Sequence, residues 1–190
     1  MIDHFATLAQ PRRPWLEAEA LKDAFHRLSA SLHPDVPGTG DGAQFTALNA
    51  AYSILRESAA RLRHLLELTA PAALAATSAA PFELADLFME IAGLRRRLDD
   101  LLSKRNAATS PLTRALLAAE ESVLRRDLTT ARERLEAAES ASLDELRMVD
   151  SGWDKLSAEA GDSLPRLYQR LAYLARWLAQ TREALFVLGS

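Results

Sequence analysis

"LKDAFHRLSASLHPDVPGTGDGAQFTALNAAYSIL", residues 21–55, holds two amphipathic runs on either side of a stretch that helical backbone does not cross. In the first run Leu21, Phe25, Leu28 and Leu32 recur at helical spacing and form one apolar stripe, with Lys22, Asp23, His26 and Arg27 off it. The spacing predicts a helix from about Leu16 to Leu32. It must end near His33, because Pro34 has no amide hydrogen and pushes the residue before it out of the helical region. The segment "HPDVPGTGDG" then carries two prolines and three glycines, residues that break helices and permit turns. From about Ala43 a second helix follows, with Phe45, Leu48, Tyr52 and Leu55 on one face. Two such helices joined by so short a loop are expected to pack as an antiparallel hairpin.

The whole chain has the composition of good helix formers. Of 190 residues 48% are hydrophobic, only 7 are Gly and 8 Pro, and Ala, Leu, Glu and Arg dominate. An all-α fold is expected. The net charge of -3 comes from acidic and basic residues that alternate along the chain, so no strong field favours nucleic acid or an anionic membrane as partner. The absence of cysteine removes disulfides, thiolate catalysis and cysteine-ligated zinc or iron-sulfur clusters held by this chain alone. The start, "MIDHFATLAQPRRPW", lacks the pattern of a secretory signal, and no run of about 18 apolar residues could form a span. A cytoplasmic protein with no bound cofactor is the expectation.

Beyond the hairpin, "RESAARLRHLLELTA" predicts a further short helix with Ser58 as cap and Leu62, Leu65 and Leu66 as its apolar positions. Residues 70–81, "APAALAATSAAP", have neither charge nor aromatic ring and read as a connection between two units. Three helical tracts follow. The first, about 82–104, carries Phe88, Met89, Ile91, Leu94, Leu98 and Leu101. The second opens on Ser110 as cap with Pro111 at the first helical position. A break is expected near Ser140, with "SLDE" at Ser142–Glu145 restarting a helix as a capping box. The third has Leu167, Leu171, Leu174 and Leu178 as its stripe, with Tyr168, Tyr173 and Trp177 added. A three-helix bundle with one long arm is the simplest packing of these tracts.

His33 and Asp35 flank Pro34 and have the chemistry of an acid–base pair, since a carboxylate can orient an imidazole. No nucleophile elbow, phosphate loop or second carboxylate pair accompanies them, which argues against an enzyme. The four histidines, His4, His26, His33 and His64, show no paired spacing typical of a zinc site. A tripeptide that ends one helix and starts a loop is the plainest alternative.

Helix, His-Pro-Asp, glycine-rich loop and helix in that order resemble the J domain of the DnaJ co-chaperones, over most of residues 3–57. The resemblance implies that His33, Pro34 and Asp35, with Lys22, His26 and Arg27 on the helix before them, bind an ATPase chaperone of the DnaK/HscA class and stimulate its ATP hydrolysis. Pro34 would fix the turn and Asp35 would offer a carboxylate to a guanidinium. Val36 stands where a basic residue usually follows, and Asp23 interrupts the basic positions.

The glycine- and cysteine-rich zinc region of general DnaJ proteins is absent. Instead "LRESAARLRHLLEL", "LADLFMEIAGLRRRLDDL" and "LYQRLAYLARWLAQTREAL" resemble the HscB family of iron-sulfur assembly co-chaperones. That resemblance implies a J domain at 1–69, the connection at 70–81 and a client-binding helical bundle at 82–190. Its client would be an iron-sulfur cluster scaffold of the IscU type, held by Phe88, Met89, Ala92 and Tyr173. Gly93 and Arg96 stand where the family tends to have acidic residues, and the tract from Pro111 to Asp150 is longer than usual. The alternative is an interaction or scaffold protein with a degenerate J-like module, whose long charged helix mediates self-association.

Overall fold

The computed structural model describes residues 2–31, 42–76, 81–153 and 163–189, and among these every regular element is helical. In chain order they are α1 (His4–Thr7), α2 (Ala18–Ser31), α3 (Gly42–Arg56), α4 (Ser58–Thr69), α5 (Pro71–Ala76), a 3-10 turn at Phe82–Leu84, α6 (Ala85–Ala107), α7 (Pro111–Ser151) and α8 (Ser163–Gly189). The all-α expectation holds. Two helices flank the His-Pro-Asp stretch, and Leu32 to Asp41 lie outside the described residues.

Local chemistry explains most boundaries. Asp3 caps α1, its Oδ1 accepting from the amides of Phe5 at 3.0 Å and Ala6 at 3.2 Å. Ala9, at φ 50, turns the chain through the left-handed region after α1. Ser110 is the cap the sequence predicts, its Oγ accepting from the Thr113 amide at 3.1 Å, with Pro111 as first helical residue.

Three local expectations are corrected. Ser58 is the first residue of α4 rather than its cap; Glu57 takes that position, and Ser58 Oγ instead accepts from Arg61 Nη2 at 3.3 Å. The connection at 70–81 is partly helical, since α5 buries part of Leu74 against the core of the first unit, which offsets the ordering of its alanines. No break occurs near Ser140. α7 runs uninterrupted through Ser142, whose buried hydroxyl donates back to the Ala138 carbonyl at 2.8 Å, an i to i−4 bond that is compatible with a continuing helix.

The chain forms two compact units. In the first, residues 1–78 and 143–171, α1, α2 and α4 pack on α3, and Phe5, Leu8, Leu21, Leu48, Leu55 and Leu62 belong to the core. The end of α7 and the start of α8 enter that same core through Leu146, Leu164, Leu167 and Leu171. Packing therefore groups 143–171 with the N-terminal residues, where the linear division at 70–81 assigns them to the bundle. The reason is apolar periodicity: α7 and α8 keep presenting leucines beyond what the bundle buries.

Polar groups reinforce this grouping. Arg13 makes a two-pronged ion pair with Asp150, Nε to Oδ1 at 2.9 Å and Nη2 to Oδ2 at 2.7 Å, and Asp150 Oδ1 also accepts from the Trp15 amide at 3.0 Å. Trp153 Nε1 donates to the Arg12 carbonyl at 3.0 Å, and the Arg147 guanidinium lies 4.3 Å from the centre of the Trp15 ring. Arg61 is 3% exposed and donates to the carbonyls of Pro14 at 2.8 Å and Leu55 at 2.7 Å; burial pulls its pKa down to about 10.

The second unit, residues 79–142 and 172–190, is a bundle of α6 with the first part of α7 and the rest of α8. Leu117, Leu124, Leu128, Ala131 and Leu135 mark the inward stripe of α7 and meet Ile91, Leu94, Leu98 and Leu101 of α6 and Leu174, Trp177 and Leu178 of α8. Surface ion pairs such as Arg97–Asp127 (2.7 Å) and Lys104–Glu120 (3.0 Å) join α6 to α7.

Candidate functional site

Two separate surfaces carry the residues singled out from the sequence. The first is on α2. Leu21 and Ala24 are buried against the core, so Lys22, His26 and Arg27 fall on the solvent side, and all three are exposed. Lys22 Nζ lies 3.4 Å from Glu19 on the same helix, and Asp23 is exposed beside it, so the positive field of this face is partly offset locally. Phe25 holds α2 to α3 by stacking on Tyr52, with ring centres 4.4 Å apart. His33, Pro34 and Asp35 lie outside the described residues, in the interval of sequence between Ser31 and Gly42 that separates α2 from α3.

The second surface is on the bundle. Phe88 is 48% exposed and Met89 62%, so both leave much of their apolar surface in water. Ala92 is half-buried one turn further along α6, and Tyr173 is half-buried against the bundle core from α8. The residue that joins them is Trp177, in the sequence an aromatic addition beside the leucine stripe of α8: it is 4% exposed, with its ring 5.9 Å from Phe88 and 5.6 Å from Tyr173. Its position one turn after Tyr173 was the available signal, but which aromatic of α6 it meets depends on how the two helices align.

This aromatic cluster has a buried floor and an exposed rim. Gly93 on the same helix has open space where a Cβ would stand, and Phe82, 92% exposed in the preceding 3-10 turn, is a further apolar group in solvent. Glu90 is engaged by Arg134 of α7, while Arg96, exposed, carries no ion pair among the described residues. Isolated apolar residues in water are ordinary, but an aromatic cluster anchored on a buried tryptophan has the features of an interface centre.

The histidines separate by environment. His26 is exposed on α2, whereas His64 is 4% exposed and its Nε2 accepts the backbone amide of His4 at 3.0 Å. The two rings lie 4.6 Å apart, and burial, then the neighbouring His64, lower the pKa of His4 below its ordinary value of 6.5. Among the described residues no group of three or more His, Cys, Asp or Glu side chains is arranged to hold a metal ion, and no helix is long and apolar enough to cross a membrane.

No family model matches the chain, and no curated protein matches it. Among solved structures it is similar to the crystal structure of human co-chaperone protein HscB, with a TM-score of 0.56 and 14% identity, over 96% of this chain and 81% of that chain. At that identity the likeness is one of fold, and it is the fold that the helical tracts and the tripeptide together lead one to expect.

Proposed function

We propose that the chain is a non-catalytic co-chaperone of the HscB type. Its N-terminal unit stimulates the ATPase of a DnaK/HscA-class chaperone, and its bundle carries the client to that chaperone. The observation that carries this reading is an HscB-like fold spanning 96% of the chain with a His-Pro-Asp tripeptide in the sequence interval between α2 and α3. His33, Pro34 and Asp35 form the trigger, and Lys22, His26 and Arg27 steer the encounter with an acidic surface of the ATPase. With Lys22 partly paired to Glu19, that steering is weak and easily screened by salt. Phe88, Met89, Ala92 and Tyr173, backed by Trp177, form the client face, and an iron-sulfur scaffold of the IscU type is the client.

The test is the steady-state ATPase rate of an HscA-type partner with the wild-type chain and with His33→Gln. Stimulation by wild type and its loss in the variant, with both melting at the same temperature, is the expected result. Equal rates with the two proteins would refute the trigger assignment.

A second reading has one observation in its favour. Leu112, Leu116 and Val123 lie on one face of α7 and are 72%, 67% and 41% exposed, a stripe suited to self-association. A monomer by sedimentation at concentrations well above those of the ATPase assay would remove it.

A further inference from the structure

Beside the client face the bundle has a cavity that no part of the reading above uses. It measures about 140 Å³ and opens between α6 and α8, with Ile91 and Leu98 of α6, Leu128 of α7 and Ala184 of α8 among its walls. Ile91 comes one turn after Phe88 on α6, and Thr181 one turn after Trp177 on α8, so the cavity continues along the same two helices from the aromatic cluster. Its size decides what it takes. Sites for drug-sized ligands run to about 300–1,000 Å³, whereas an apolar cavity of about 150 Å³ accommodates a single benzene ring.

We infer that this cavity is an anchor subsite for one large apolar side chain, phenylalanine, leucine or methionine, of the client protein, flanked in the client by a basic residue. The inference rests on the client-binding reading of the bundle. The basic neighbour follows from the lining, where Asp99 of α6 and Glu183 of α8 occur with Arg95, two carboxylates against one guanidinium. A segment lying over Phe88 and Met89 along the α6–α8 seam reaches the cavity with a residue one helical turn further on. The client is then held at two points, the aromatic cluster and the cavity, which fixes its direction along the bundle.

The experiment titrates an IscU-type scaffold protein against the full chain as wild type, Phe88→Ala, Ala184→Leu and the double reversal Asp99→Lys with Glu183→Lys. Ala184→Leu fills the cavity from its wall, and the reversal alters only exposed charges, so it reads the site even if the leucine variant folds poorly. Expected is at least a tenfold weakening by Ala184→Leu and a several-fold weakening by the reversal that shrinks as salt is added. Weakening by Phe88→Ala with wild-type affinity in the double reversal and in folded Ala184→Leu overturns the cavity subsite and leaves the client face standing. No binding by the wild-type chain overturns the client reading and the subsite with it.

Discussion

In the first unit Arg61, His64 and Asp150 are buried, and each is held by groups far away in sequence; in the second the ion pairs of Arg97, Lys104 and Arg134 join helices at the surface. The apolar residues divide the opposite way. Among the described residues the first unit leaves Ile2, Phe45 and Met148 in solvent, while the second leaves Phe82, Phe88, Met89, Leu112, Leu116, Val123 and Phe186. Buried polar groups are costly unless satisfied, and they specify one arrangement; exposed apolar groups contribute little to folding and are available for binding.

The most severe test of that contrast removes the distant half of the first core. A chain of residues 1–78 lacks Leu146, Leu164, Leu167 and Leu171 together with Asp150, the partner of Arg13. We expect it to lose cooperative thermal unfolding by circular dichroism; a sharp melt with full helix content would show that the N-terminal segment folds without the ends of α7 and α8. Next in size is Arg61→Met. It leaves the Pro14 and Leu55 carbonyls unpartnered inside the core, and roughly 3 kcal/mol of stability should go in chemical denaturation. A change under about 1 kcal/mol would mean that water replaces the guanidinium without strain.

Paired truncations compare the two units directly. Leu65→Ala, at a position with 0% exposure, should cost about 2–5 kcal/mol. Phe88→Ala removes a larger side chain, yet it should cost about 1 kcal/mol or less while weakening scaffold binding at least about tenfold. Large destabilisation by Phe88→Ala would make that ring part of the core and remove it from the client face.

The smallest effect is the dependence on pH. His4 titrates below 6.5 in the folded chain because burial and then the adjacent His64 disfavour its charged form. A depressed histidine contributes stability that is present above its unfolded pKa and is lost as pH falls from 6.5 through the lower folded value. Melting temperatures followed from pH 7 downward should therefore decline less steeply in His4→Gln than in wild type. Parallel slopes would show that His4 does not contribute to the dependence.

Much of the first surface was legible in the sequence, and less of the second. Lys22, His26 and Arg27 could be placed on the solvent face because Leu21, Phe25 and Leu28 mark the inward stripe of a single helix, a local matter of periodicity. Phe88 and Met89 could not be separated from core residues in the same way, since Ile91, Leu94 and Leu98 share their helix and their hydrophobicity. Ser58 and the Ser142–Glu145 box show the same limit on a smaller scale. Each has the residue types of a cap, but a serine hydroxyl also satisfies itself on a nearby guanidinium or on the carbonyl one turn back.

What the sequence by itself determined is the all-α class, the main amphipathic helices on either side of the His-Pro-Asp stretch and in the second half, and the likeness to an HscB-type fold. These follow from 3.6-residue periodicity, backbone sterics and a tripeptide at one junction. Only the tertiary structure decided that residues 143–171 belong with the N-terminal core, that Trp177 gathers Phe88 and Tyr173, and that a side-chain-sized cavity lies beyond them. Each of these depends on which face of one helix meets which face of another. That choice is made by burial summed over residues far apart in the chain, and no local pattern encodes it.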